Sequence, residues 1–448
     1  MRRYIKYDLL KIIEQLHNVN ETLLQKGKMI SQEQAQSILT DCQQGAVEVG
    51  NKIEAQVGEG TEAVRQLEVY CEKMYLLCVN WQDASFKDKE LKNVRLILNK
   101  VKNGILYDIP DSPKEVVFLP YKASMWDSLE SVWIKAVEDE GCNVSVIPIP
   151  YYDKNPDGSL GQMHYEGELY PDNVSIVHYE SYDFEKKHPD VIFIHNPYDE
   201  ANHVTSVHPA FYSKQLKQYT DMLVYIPYFV LGEPILDNEE SIESMAHFCT
   251  TPGVLYADRV IVQSENMRKA YIQVLSKLLG KDANTKAYLE KKILGLGSPK
   301  YDKIKRSKKE EQEIPTAWKD LICKPDGGWK KIILYNTTID GMLRNNDEMI
   351  AKIKQALTVF YENRDDVVLL WRPHPLLKTT LQSMRPRLLD EYNRIVEKYI
   401  EEGWGIYDDT PDMNRAIVIS DAYYGDWSSL VQLYQCTGKP IMIQNVKV

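Results

Sequence analysis

The chain has 448 residues, 44% hydrophobic and 27% charged, with a formal net charge of −11. That length suits two or three domains, and the composition is that of a soluble globular protein. The acidic balance excludes a broad charge-driven nucleic-acid surface, which needs a basic face to neutralise phosphates.

Tyrosine outnumbers phenylalanine, 29 to 8, which suits carbohydrate or nucleotide surfaces. The seven cysteines are scattered, odd in number and without a CxxC pair. A reduced, cytoplasmic setting is expected. The N-terminus "MRRYIKYDLLKIIEQLHNVNETLL" is basic and amphipathic but lacks the apolar core and cleavage site of a signal peptide. No run of roughly 18 apolar residues predicts a membrane span.

Residues 1–108 predict helices. Leu9, Ile12, Ile13, Leu16 and Val19 recur at helical spacing. Ser31 with Gln34 has the form of a capping box, and Thr61 that of an N-cap. The segment carries no catalytic constellation. It is expected to be a helical bundle or coiled-coil region that packs on the main body or self-associates.

From residue 109 the pattern changes. Val116–Leu119 predicts a buried strand, a helix follows from about Trp126, and Val144–Ile149 predicts a second strand. That is a βαβ unit, hence a parallel sheet. "DVIFIHNPYD", "MLVYIPYFV", "RVIVQS" and "KILGLGSP" add strands, and Asn155–Ser159 reads as a turn. This domain is expected to run over 109–305. Six basic residues between Lys300 and Lys309 then read as a solvated interdomain connection, or as a contact with anionic lipid headgroups.

A second βα series fills 306–448. Strands are expected at "KIILYNTT", "VVLLWRPHP" and "GWGIYDD", with helices over Asp347–Tyr361 and after Leu377. The apolar run "AIVIS" leads on to "DAYYGDWSSLVQLY". Ligands of open α/β sheets bind at the carboxyl ends of the strands, so the polar residues in those loops are the candidates.

In the second domain these are Asn336, Thr337 and Thr338; Arg372 and His374; Asp408 and Asp409; and Asp426, Ser428 and Ser429. Paired serines at a helix start either cap the helix or add hydroxyl donors to a phosphate site. Asp426 is placed to cap that helix. Arg372 offers a forked cation for phosphate. His374, between two prolines, can donate to a phosphate oxygen or move a proton. In the first domain, Lys122 follows the first strand, and His195 and Asp199 follow "DVIFI". Either of the last two could activate an acceptor hydroxyl or brace its loop. His203 and His208 lack a third ligand, so no metal is expected. No dinucleotide or P-loop glycine pattern occurs.

Several of these motifs carry a family resemblance. "GDWSSLVQLYQCTGKPIM" resembles the Asp-Tyr-Ser-Ser segment of the CDP-glycerol glycerophosphotransferases of teichoic-acid synthesis, with Trp427 in the tyrosine's place. "LWRPHP" is similar to their Arg-x-His-Pro loop, and "ILYNTT" to their strand ending in a Pro-Thr pair. "LGLGSPKYDKI", with Ser298, is similar to their Gly-x-Pro-x-x-Asp segment, and "ADRVIVQSENMRKAY" fits the strand and helix before it.

The resemblance implies two Rossmann-like domains in a GT-B-like arrangement. It implies a CDP-glycerol-type donor as substrate, with no cofactor. Ser428 and Ser429 would hold the diphosphate, with His374 against it. Arg372, Asp426, Asn336, Thr337, Thr338 and Ser298 complete the expected donor-side set, and Lys122 faces the acceptor. The family's first-domain Trp-His-Gly histidine is missing after "MLVYIPYFVLGEP", so either His195 or Asp199 serves as base in its place, or the donor or acceptor differs, or the activity is lost.

The expected function is transfer of glycerol phosphate, or a related alditol phosphate, to an acceptor hydroxyl of a polyol or glycan in cell-surface polymer synthesis. A glycosyltransferase using a nucleotide sugar and a non-catalytic scaffold are the alternatives. Peripheral contact with the membrane inner face and self-association through the N-terminal helices are further expectations.

Overall fold

The computed structural model describes residues 1–155, 157–324, 326–410 and 412–446. The chain divides into two compact units. One comprises Met1–Glu115 with Asp139–Asn143; the other comprises Val116–Glu138 and the residues from Val144 onward.

The first unit is helical: α1 (Arg3–Lys26), α2 (Gln32–Val57), α3 (Glu62–Val79) and α4 (Ala84–Asn103). The Ser31–Gln34 capping box forms both of its hydrogen bonds. The Thr61 hydroxyl accepts from the Val64 N–H and opens α3. Leu9, Ile13, Leu39, Leu67, Leu91 and Leu98 are buried, each on the apolar stripe of its helix. Lys6, buried in α1, pairs with Asp111 at 2.7 Å, tying the start of the unit to the end of its last turn.

The second unit contains two parallel sheets. Its early strands are β1 (Lys114–Leu119), β2 (Cys142–Val146), β3 (Tyr151–Lys154), β4 (Leu160–His164), β5 (Val191–Ile194), β6 (Thr205–Val207), β7 (Met222–Tyr225), β8 (Arg259–Ile261) and β9 (Ile293–Leu294). Six of them form a sheet in the order β2-β1-β5-β7-β8-β9, and β1, β5, β7, β8 and β9 pair in parallel. A small antiparallel sheet, β4-β3-β6, lies apart from it. The sequence reading missed this sheet, because its short polar strands lack an apolar run. The predicted turn joins β3 to β4, with Gly158 at φ 82°. Its Pro156 lies outside the described residues.

The later strands are β10 (Lys331–Thr337), β11 (Val367–Pro373), β12 (Ile406–Tyr407), β13 (Ala422–Gly425) and β14 (Ile441–Ile443), in the order β12-β11-β10-β13-β14 and all parallel. Leu334, Tyr335, Leu370 and Trp371 are fully buried at the centre, as expected of strands covered on both faces. The apolar run Ala416–Ile419 closes a helix, Met413–Ile419, and the strand is the shorter β13 after it. A four-residue buried run cannot be assigned to helix or strand by periodicity alone. The architecture is α/β, with two parallel sheets preceded in the chain by helices, as the sequence predicts.

The basic stretch after Ser298 is not a solvated connection. It forms the helix Pro299–Arg306, which clasps both halves of the unit. Lys300 pairs with Asp127, Lys303 with Glu130, and Asp302 accepts from the Ser131 hydroxyl at 2.8 Å. Further on, Lys309 pairs with Asp421. Val230, in the loop after β7, is buried in the apolar cluster of the second sheet beside Ile304, Leu430 and Val431.

Candidate functional site

The site starts from strand register. In β10, Asn336 lies opposite Arg372 of β11 and Gly425 of β13. The three strand ends therefore open on one edge. Gly425 has φ 142°, and a Cβ there would meet the Asn336 carbonyl oxygen at 2.2 Å. Only glycine allows β13 to turn out of the sheet so close to β10.

Asn336 organises this edge. Its side-chain N–H donates to the Arg372 carbonyl at 2.8 Å, and its carbonyl oxygen accepts from the Ser428 hydroxyl at 3.2 Å. Ser428 is extended and precedes the helix Ser429–Gln435 without capping it through its side chain. The Val431 N–H donates to the Ser428 carbonyl at 3.0 Å, and among the described residues no side chain caps the helix start. Ser428 is half-buried, while Ser429 and Trp427 are exposed.

Asp426 does not cap that helix, contrary to expectation. Its buried carboxylate accepts from the Thr338 N–H at 2.7 Å, the Thr338 hydroxyl at 2.9 Å and the Gln444 amide at 2.6 Å. Thr338 in turn caps the helix Ile339–Asn345 through Gly341 N–H. A Cβ on Gly341 would strike the Asp426 carboxylate at 2.4 Å, so the loops are locked at close range. Thr337 is fully buried and accepts from the Trp371 indole N–H at 3.2 Å.

Arg372 is engaged by the loop after β12. Its guanidinium donates to Asp408 at 2.5 Å and to the Thr410 carbonyl at 2.8 Å, with the side chain only 9% exposed. The fork expected to grip phosphate is instead filled by a carboxylate and a carbonyl. His374 is exposed. Its backbone N–H continues the ladder to the Thr337 carbonyl, and its Nδ1 accepts from the Leu376 N–H at 3.2 Å. That bond fixes the tautomer with hydrogen on Nε2. Partial desolvation against the sheet edge holds the imidazole below its ordinary pKa, so the neutral ring presents an Nε2–H donor.

The first sheet corrects the expectation for a base. His195 is fully buried: its Nε2 accepts from the Tyr121 N–H at 2.9 Å, and its Nδ1 lies 2.8 Å from the Ser128 hydroxyl. Burial, aided by the nearby Lys300 charge, pushes its pKa down to about 3. With both nitrogens used and no route to solvent, His195 braces the loops after β1 and β5. Asp199 is equally enclosed, in the left-handed region at φ 46°. It accepts from the Ser213 N–H at 2.8 Å and the Ser213 hydroxyl at 3.2 Å. Burial lifts its pKa to about 7. It too is a brace rather than an accessible base.

Lys122 lies over the rings of Tyr151 and Tyr121, 4.7 and 5.5 Å from their centroids. Ser298 is buried and caps the helix Pro299–Arg306. Neither contacts the second-sheet residues through any hydrogen bond described above. The sequence reading did not single out Glu166, whose carboxylate accepts from the Ala123 N–H at 2.8 Å and the Tyr151 hydroxyl at 2.7 Å. It also passed over Asn414, which donates to Asp127 at 3.0 Å. No local pattern marks either residue; only the meeting of distant loops does.

Comparison with known proteins adds one sequence finding. The family described as CDP-Glycerol:Poly(glycerophosphate) glycerophosphotransferase matches residues 254–446, a span that includes His374, Ser428 and Ser429. No curated protein matches the chain. Solved structures resemble it distantly. The UDP-GlcNAc 2-epimerase of Methanocaldococcus jannaschii is 12% identical, with TM-score 0.42, covering 74% of this chain and 83% of that one. A variant of the wall teichoic acid polymerase TagF is 15% identical, with TM-score 0.38, covering 86% and 79%. The catalytic domain of Starch Synthase IV from Arabidopsis thaliana is 10% identical, with TM-score 0.34, covering 74% and 83%.

Proposed function

We propose that this chain, whose residues 254–446 match the CDP-glycerol:poly(glycerophosphate) glycerophosphotransferase family, transfers glycerol phosphate from a CDP-linked donor to an acceptor hydroxyl in cell-surface polymer synthesis. The observation that carries this reading is the coincidence of the family match with one strand edge. Across that edge the exposed His374 and the uncapped Ser428–Ser429 helix start are organised by Asn336.

In the proposed reaction the acceptor oxygen attacks the phosphorus bearing glycerol. The bond from that phosphorus to the bridging oxygen breaks, CMP leaves with that oxygen, and the acceptor's proton passes to solvent. The chemistry is chiefly positioning and charge stabilisation. Ser428 and Ser429 hydroxyls with the adjacent helix N–H groups would hold the diphosphate. The His374 Nε2–H would donate to a phosphate oxygen as charge develops. Asn336, Asp426, Thr337, Thr338 and Arg372 would fix the loops that carry these groups, because their polar atoms are already engaged. Lys122 would face the acceptor. Neither His195 nor Asp199 takes a chemical role.

The setting is part of the proposal: cytoplasmic, peripheral at the membrane inner face, with self-association through α1–α4 and no cofactor. Among the described residues no helix is long and apolar enough to cross a membrane. CMP release from CDP-glycerol with polyol and glycan acceptors tests the reading. Absence of release, together with no thermal stabilisation by CDP-glycerol, would overturn it.

A further inference from the structure

A second recognition surface lies away from the strand edge. A groove of about 360 Å³ is floored by the buried Tyr182 and Phe211 and walled by Tyr179, Phe184, His208 and Tyr219. Its rings meet at steep angles, not in a stack. Tyr182 and Phe184 are 4.8 Å apart at 57°, Phe184 and Phe211 5.9 Å apart at 78°, and Tyr179 and Phe211 6.1 Å apart at 81°. The volume falls in the range of small-molecule pockets, roughly 300–1,000 Å³.

The rim is acidic. Asp183 and Glu185 are exposed there, and among the described residues that line the groove there is no lysine or arginine. A phosphate-bearing segment would meet two carboxylates and no cation, which costs affinity. A neutral sugar ring meets no such penalty. Its C–H faces pack on aromatic rings, and its hydroxyls donate to carboxylates in charge-assisted hydrogen bonds.

The groove lies on the first sheet's side, as does the loop after β1. Tyr121, beside Lys122, lies 5.4 Å from Tyr151, which stacks on His164 at 5.0 Å. The next residue, Tyr165, lies 5.5 Å from Tyr179 on the groove wall. Tyr121 and Tyr151 are themselves buried in the core of the first sheet.

We infer that this groove is a remote subsite for a neutral sugar segment of the acceptor. The inference rests on the transferase reading for the word acceptor; the sugar-binding groove itself does not.

The full chain is titrated with a panel of neutral oligosaccharides, with a glycerol phosphate oligomer and with tetramethylammonium. Binding is read by calorimetry and tyrosine fluorescence. A neutral oligosaccharide is expected to bind, and Tyr179→Ala and Phe184→Ala each to weaken it about tenfold. The thermal shift produced by CDP-glycerol should be unchanged in both variants. That control shows they are folded and separates failure of the groove from failure of the nucleotide site. No binding across the panel overturns the inference. So does equal affinity in the variants, or a preference of the groove for tetramethylammonium or the phosphate oligomer.

Discussion

The Lys300 ammonium donates to both carboxylate oxygens of Asp127, at 2.6 and 2.8 Å, and both side chains are at least nine-tenths buried. Asp127 lies in the turn after β1, and Lys300 in the helix that follows the first sheet. Asn414, from the second sheet's side, donates to the same carboxylate. One buried ion pair thus joins the two halves where their strand-end loops meet. Breaking such a pair from one side leaves an unpaired buried charge and costs about 3–5 kcal/mol. Lys300→Met should lower the urea midpoint accordingly. The double variant Asp127→Leu with Lys300→Met should recover part of that loss. A double variant no more stable than Lys300→Met would mean that the stranded charge is not the cause.

His374 is exposed and holds only a backbone N–H through its ring. His374→Ala should therefore leave the melting temperature nearly unchanged. Loss of one donor to developing charge typically costs 10²–10³-fold in rate, so CMP release should fall by about that factor, with CDP-glycerol affinity changed far less. Unchanged turnover would remove His374 from the mechanism.

His195→Gln separates a brace from a base. The glutamine cannot satisfy both the Tyr121 N–H and the Ser128 hydroxyl in the same geometry, so a loss of about 1–3 kcal/mol is expected. Turnover per folded molecule should persist, because His195 is closed off from substrate. A pH effect on stability goes with it. The folded histidine stays neutral down to about pH 3, while the unfolded one binds a proton near 6.5. The unfolded state then holds more protons in between, and stability falls as pH drops through that window. The variant should lose this contribution to the acid slope, measured by urea unfolding at pH 7 and pH 5.

Asp199 gives the opposite sign. Its folded carboxyl keeps its proton to about pH 7, while the unfolded one releases it near 3.8. The folded state holds more protons between those values, so this group's contribution to stability is lost as pH rises from about 4 to 7. Asn suits the left-handed backbone at φ 46° and can still accept from the Ser213 N–H. Asp199→Asn should therefore match the parent near pH 3.5 and exceed it by a growing margin up to pH 8. Equal urea midpoints at both pH values would contradict the assignment.

The legible part of this protein is the part written in short-range pattern. Apolar spacing gave α1–α4, and Ser31, Gln34 and Thr61 marked helix starts that form as read. Strand runs followed by polar loops located the edge where Asn336, His374 and Ser428 gather, and the motifs around them carried the family resemblance. β3, β4 and β6 escaped because their strands are short and largely polar. The helix Pro299–Arg306 escaped because its six neighbouring positive charges resembled a solvated linker. In the fold those at Lys300, Lys303 and Lys309 meet carboxylates from distant loops.

What the sequence by itself determined is therefore the element types, the parallel sheets and the strand ends on which polar residues cluster. Periodicity and turn chemistry act over a few residues and need no partner. Tertiary structure alone decided what those polar residues do. It paired Arg372 with Asp408, enclosed His195 and Asp199, gave Asp426 to Thr338 and left His374 exposed. Burial and hydrogen-bond partners set by residues far apart in the chain fix the charge and reach of a side chain, and neither is written in its neighbours.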